Sequence, residues 1–258
     1  MSSPYNGSTR RMVVPVPPRA LWRRLRKFER RELLTLLAGL AICLLLWGFL
    51  ALASEVMEGD TTALDGRILL ALRSADDPAR PIGPVWIEPA LLDLTAIGST
   101  TVLGLVVFAV SGFLALQQRY RTALFILLTA VSGEAANWII KGLFARPRPT
   151  IVPHLQAVVS SSFPSGHAME SALIYLTLGA MLMRTTNGRV TKIYCMSLAV
   201  LLTLLVGISR VYLGVHYPTD VVGGWMFGFL WASVWWVIER RFEQSTGVSD
   251  EKPPRTES

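Results

Sequence analysis

From Leu33 to Ala53 the chain carries no charged residue, and an apolar run of that length is what an α-helix needs to cross a bilayer. The pattern repeats. Apolar blocks of about 20 residues, the spanning length, recur near Ile97 to Leu116, Thr122 to Leu143, Pro164 to Met183, Ile193 to Ile208 and Val221 to Ile238. A chain of 258 residues that is 52% hydrophobic would spread those residues as helix stripes or strand alternation if it were soluble. Here they are gathered into blocks, which predicts an all-α bundle of six transmembrane helices. The first block ends in Ala51-Leu52-Ala53, the pattern of a signal-peptidase site. That block and its basic leader are both too long for a typical signal peptide, so it is read as a retained helix.

The net charge of +7 does not indicate a nucleic-acid partner, because the basic residues sit in tails and short loops rather than in a stripe. Six spans place both termini on one side. The two tails, with the loops around Gln117–Arg121 and Arg184–Lys192, hold 18 of the 25 lysines and arginines. That side is therefore cytoplasmic, in a multi-pass protein of the inner (plasma) membrane. Residues 1–32 read as a basic cytoplasmic tail, partly disordered, whose Arg19–Glu32 portion either orients the first span or lies as an interfacial helix on anionic lipid. Residues 33–240 form the six-span domain, and 241–258 a charged, disordered cytoplasmic tail. Leu64, Ile68, Leu69 and Leu72 suggest an amphipathic helix lying on the outer surface. The two cysteines, Cys43 and Cys195, both fall inside apolar blocks, so neither a disulfide framework nor a thiolate metal site is expected.

Three polar segments lie at outer ends of spans: Lys141 to Pro149, Ser160 to Ala168, and Ser209 to Asp220. In the second, Pro164 is expected to start a helix with Ser165, Gly166 and His167 in its first turn. Free N–H groups and the helix dipole make such a turn an anion site, and glycine lets the anion come close. A multiply charged tetrahedral oxyanion also needs converging cations, which Lys141, Arg148 and Arg210 supply. His216 and His167 suit a nucleophile and a general acid. Asp220, four residues after His216, is placed to accept its Nδ1–H and leave Nε2 free.

Lys141-x6-Arg148-Pro149, Pro164-Ser165-Gly166-His167 and Ser209-Arg210-x5-His216-x3-Asp220, in this order, resemble the three signatures of the type 2 phosphatidic acid phosphatase family, which also includes vanadium haloperoxidases. The motifs span residues 141–220, and every signature position fits. The resemblance implies that His216 attacks phosphorus to form a phosphohistidine, oriented by Asp220. His167 would protonate the leaving group and then activate water. Lys141, Arg148, Ser165, Gly166 and Arg210 would hold the phosphate oxygens, with no metal and no cofactor. It implies a hydrolase for a lipid phosphate or diphosphate of the isoprenyl diphosphate, phosphatidate or phosphatidylglycerophosphate class. A phosphotransferase of the same fold and a non-catalytic lipid-binding or transport protein are the alternatives.

His154 has no motif partner and reads as a loop residue near the entrance. Glu170, three residues after His167, and Glu134, seven before Lys141, are charged residues inside spans, where charge is costly. Glu170 reads either as a partner of Lys141 or Arg210 or as a protonated structural group. Glu134 reads as a buried contact between helices.

Overall fold

The computed structural model describes residues 18–158 and 160–246. Among them it shows eight helices and no strand: α1 Pro18–Glu58, α2 Thr62–Ala71, α3 Ile87–Ala96, α4 Thr100–Leu116, α5 Tyr120–Phe144, α6 Gly166–Thr185, α7 Arg189–Tyr212 and α8 Pro218–Thr246. The all-α expectation holds. The chain divides into two units, the residues up to Ala41 and those from Ile42 onward, and the site lies wholly in the second. Arg19–Glu32 is helical as part of α1. The disorder expected for the two tails concerns residues that are largely outside the described ones, although α8 continues past 240 to Thr246.

Local chemistry explains where the helices begin and end. The Ser99 hydroxyl caps α4 by accepting from the Val102 N–H at 3.3 Å, as expected of a serine N-cap. The Ile97-Gly98-Ser99 break bends α3 against α4 by 47°. α3 was not anticipated from sequence, because Pro89 and two carboxylates disguise it. Proline is tolerated there because it sits in the first turn. Helix α8 does start on a proline, Pro218, whereas Pro164 does not open α6. Ser165, extended at φ −68° and ψ 115°, is the N-cap and Gly166 the first helical residue, and the Ser165 N–H donates to the Asp220 carbonyl at 2.9 Å.

α6 is the centre of the second unit, and its largest interfaces are with α7 and α8. Close approach to α8 depends on Gly224 and Gly228. A Cβ at Gly224 would meet the Ser165 carbonyl at 2.6 Å, and one at Gly228 would collide with the Met169 carbonyl. Small residues one turn apart let two helix backbones touch in this way. Phe49, Phe163, Met169, Phe227 and Leu230 fill the core beside it.

Among the described residues, α1 from Thr35, α5, α7 and α8 are each long and apolar enough to cross a membrane, and the bent α3–α4 pair would make a fifth span. Their outward faces expose Phe108, Val131, Ile139, Leu201 and other large apolar residues, as an integral membrane protein requires. α6, the fourth span of the sequence reading, is not in that apolar set. Its residues from Ala168 to Ile174 are all buried, packed mainly against α7 and α8, so Glu170 lies inside the bundle rather than on its outer face.

Candidate active site

Four helix ends meet at one end of the unit: the C-termini of α5 and α7 and the N-termini of α6 and α8. Each delivers functional groups because of how it ends. α5 stops at Ala145, whose left-handed conformation (φ 43°) turns the chain into Arg146-Pro147-Arg148-Pro149, where the prolines prevent the helix from resuming. α7 ends with Arg210 in its last turn, so that residue is helical rather than part of the loop. Gly214 (φ 73°) then reverses the chain beneath Arg73 and the Pro153 carbonyl, which leaves no space for a side chain. His216 follows in the short link, and Asp220 lies in the first turn of α8.

These ends enclose a cavity of about 460 Å³ lined by Lys141, Arg148, Gly166, His167, Arg210 and His216, among others. Six of the eight site residues predicted from sequence thus share one wall. The other two stand behind it. Asp220 is fully buried against His216, its Oδ2 3.5 Å from Nδ1. Ser165 is also fully buried, and its hydroxyl has no hydrogen-bond partner among the described residues.

His216 is 2% exposed. Arg148 approaches its Nε2 at 3.2 Å, and Ser162 Oγ lies 3.4 Å from its Nδ1. A guanidinium can only donate, so Nε2 must accept and Nδ1 must carry the proton toward Asp220. Its lone pair therefore faces the cavity. Burial pushes this imidazole down to about 3, with Asp220 opposing and Arg148 and Arg210 adding to the shift, so it is neutral at physiological pH. Arg148 is itself clamped, with Nε on the Ser160 carbonyl at 2.7 Å and Nη1 on the Val215 carbonyl at 2.7 Å. Lys141 donates to the Ser161 carbonyl at 2.8 Å. Arg210 donates to Thr95 at 3.0 Å and to Gln156 at 2.5 Å. The three cations are thereby held near one another against their mutual repulsion.

Sequence reasoning missed the support behind Asp220. Arg146, read only as an interfacial basic residue, is 8% exposed. It donates to Asp220 Oδ1 at 2.6 Å and to Asp65 Oδ2 at 2.9 Å. Asp65, from α2, also accepts from the Thr219 N–H at 3.0 Å and hydroxyl at 2.6 Å. Burial lowers the guanidinium's proton affinity, but Asp220 and Asp65 more than reverse this and hold it above its ordinary value. Ser162 donates a short hydrogen bond to Asp220 Oδ2. One signal was available for Asp65: it stands four residues before Leu69, on the buried face of a helix read as amphipathic. His154 lies in the loop after α5, Nε2 2.6 Å from the Pro149 carbonyl. Glu170 Oε1 accepts from Asn137 Nδ2 at 3.2 Å.

The PAP2 superfamily matches over residues 100–243, more than half of the chain and all of the cavity's signature residues. The chain belongs to the PAP2 superfamily. Phosphatidylglycerophosphatase B of Bacillus subtilis (strain 168) is 31% identical over 167 residues, 62% of this chain and 81% of that protein. An undecaprenyl-diphosphatase of Sulfolobus acidocaldarius is 30% identical over 106 residues, 40% of this chain and 46% of its own length. The crystal structure of a transmembrane PAP2-type phosphatidylglycerolphosphate phosphatase from Bacillus subtilis matches this fold with a TM-score of 0.70 at 26% identity. It covers 82% of this chain and 98% of that one. Within this PAP2 chain, the conjunction of the neutral His216 with Lys141, Arg148 and Arg210 suits attack on an anionic tetrahedral centre.

Proposed function

We propose that this PAP2 protein is an integral-membrane phosphatase for a lipid phosphate or diphosphate, of the isoprenyl diphosphate, phosphatidate or phosphatidylglycerophosphate class, acting through a phosphohistidine. The observation that carries this reading is the clamp on His216: a donor at Nε2 and a carboxylate behind Nδ1, in a cavity with three cations. The substrate phosphate takes up Arg148, Lys141 and Arg210, together with the N–H groups at the start of α6, and Arg148 turns from the histidine to the phosphate. Nε2 forms a bond to phosphorus as the ester P–O bond breaks, and His167 gives its proton to the departing oxygen. Asp220 supports the charge that develops on His216. Water then attacks phosphorus, His167 takes its proton, the N–P bond breaks, and inorganic phosphate leaves. The cations and helix-end amides stabilise the transferring group electrostatically, so no metal is assigned to the reaction.

The test is phosphate release by purified protein from a panel of lipid phosphates, with acid-labile phosphoenzyme trapped in wild type and absent from His216→Ala. A chelator should leave the rate unchanged and vanadate should inhibit, because it adopts a geometry resembling the in-line transition state. Loss of activity with chelator and recovery with magnesium would rule out the metal-free scheme.

The same reading places six spans, counting α6, in the inner (plasma) membrane, with both termini cytoplasmic and the cavity facing outward. The distribution of basic residues supports it. Ala157 at the cavity and Asn187 at the opposite end are both exposed. A cysteine at Ala157 should react with an impermeant thiol reagent in intact cells, and one at Asn187 should be protected. The reverse pattern would invert the topology.

A further inference from the structure

Behind His216, on the side away from the cavity, stands a chain of charged groups of which the reaction scheme uses only the first. Asp220 Oδ2 lies 3.5 Å from His216 Nδ1, and its Oδ1 accepts from Arg146 Nη1 at 2.6 Å. Arg146 in turn donates from Nη2 to Asp65 Oδ2 at 2.9 Å. Asp65 accepts twice more, from the Thr219 N–H at 3.0 Å and the Thr219 hydroxyl at 2.6 Å. That hydroxyl itself accepts from Arg146 Nη1 at 3.0 Å, so its proton goes to the carboxyl. Asp65 is the acceptor in each of these bonds, the pattern of an ionised carboxylate. Tyr217 closes the arrangement, its ring centroid 4.2 Å from the guanidinium carbon and its N–H 2.8 Å from Asp220 Oδ2. Arg146 is thus fixed between two carboxylates, and neither it nor Asp65 lines the cavity.

The charges in this chain do not balance. Arg146 with Asp220 alone would be a neutral pair, but the fully buried Asp65 adds a second carboxylate. An uncompensated buried charge is costly. The reaction supplies the missing positive charge, an argument that rests on the phosphohistidine reading above. As Nε2 bonds to phosphorus and the ester P–O bond breaks, Nδ1 keeps its proton and the imidazole becomes cationic. His216, Asp220, Arg146 and Asp65 then sum to zero. When water bonds to phosphorus and the N–P bond breaks, the imidazole returns to neutral. Lys141, Arg148 and Arg210 act on the other side of His216, where the charge of the phosphate itself meets them. We propose that Asp65 is a positioning residue, acting through Arg146 and Asp220 to keep one excess negative charge behind His216 that stabilises the phosphohistidine. Without Asp65, Arg146 would largely cancel Asp220, and the cation would form against a neutral pair.

The readout is the rate of phosphoenzyme formation divided by the rate of its hydrolysis. Both are measured by rapid quench on the full-length protein in nanodiscs. The probe is phosphatidate, phosphatidylglycerophosphate or farnesyl diphosphate, whichever wild type cleaves fastest. Asp65→Asn and Asp65→Ala remove the charge with different packing. In each the ratio should fall about tenfold, the scale of one unit charge acting across two intervening groups in a protein interior. The fall should be shared between slower formation and faster hydrolysis. Asp65→Asn combined with Arg146→Ala returns the net charge to its wild-type value and should bring the ratio back to within about twofold. Thr219→Val breaks hydrogen bonds of the same network without changing its charge, so it should lower the thermal midpoint and keep the ratio within about twofold. A merely structural role for Asp65 would reduce the amount of folded protein and leave the ratio unmoved. An unchanged ratio in both Asp65 variants, an equal fall in Thr219→Val, or no recovery in the double variant would overturn the proposal while the phosphatase reading stands. Absence of phosphoenzyme from wild type on all three probes would overturn both.

Discussion

The two ends of the helix bundle each contain a cavity, and the two are built from opposite chemistry. The cavity at the histidine end holds Lys141, Arg148, Arg210 and two imidazoles around about 460 Å³. The other, of about 240 Å³, lies between the opposite halves of α5, α6 and α8 and is walled by Phe125, Ile126, Leu176, Met181, Trp235 and Trp236. It too has an ion pair, Arg184 to Glu239 at 2.8 Å, but those side chains are 33% and 21% exposed. At the histidine end, Arg146 is 8% exposed and both its carboxylate partners are fully buried. Water screens the first pair and leaves it worth little. The second network holds charge where water cannot compensate, so every member depends on the others. An enclosed space becomes a candidate site when such fixed charges converge on it, and apolar volume alone does not make one.

That contrast can be broken at several points, beginning with the largest effect. His216→Ala should abolish turnover of every substrate and leave no phosphoenzyme, whereas no single change at the Trp235 end should alter kcat/KM by more than about twofold, the scale of ordinary surface substitutions. His167→Ala should lose about 10² to 10⁴-fold on a lipid alkoxide, the usual contribution of a general acid. It should lose far less on p-nitrophenyl phosphate, whose leaving group needs no proton. Equal losses on both would remove His167 from the acid role.

Arg146→Ala strands Asp65 and Asp220 together in the interior and should cost about 3–5 kcal/mol of stability, read as a lower thermal midpoint in detergent. Asp65→Asn combined with Arg146→Ala should recover part of this loss. Arg184→Ala at the other end should cost about 1 kcal/mol or less. If the two arginines cost the same, the distinction between the ends fails.

The last test is the smallest in magnitude. His216 is neutral in the fold down to about 3, while an unfolded histidine binds its proton near 6.5, a typical value. Between those values the unfolded chain holds the extra proton, so stability must rise with pH across that window. His216→Gln should flatten that part of the stability profile between about pH 4 and 6.5. An unchanged slope would mean that the imidazole is not held neutral.

Much of this was legible in one dimension because it depends on short-range rules. Apolar blocks of spanning length locate α4, α5 and α7 to within about four residues, since lipid-facing helices must be apolar wherever they sit, whereas α8 runs eight residues beyond its block into the charged tail. Lys141, Arg148, His167, Arg210, His216 and Asp220 were legible because their spacing places them at helix ends, where a local rule and a family signature coincide. Residues whose role depends on a distant partner were not. Asp65 acquires its role only when α2 lies against the start of α8, and Arg146 only when both carboxylates close on it. Glu170 has no sequence neighbour that announces Asn137, so whether it met Lys141, Arg210 or that amide was a question of helix rotation. α6 was found as an apolar block, but its burial among helices, which lets it carry polar residues, is a property of the bundle. The identities of the charged groups were decided by the chain. Which of them neutralise one another is decided by packing, because Coulomb energy in a buried site depends on distances of a few ångströms that no spacing in sequence specifies.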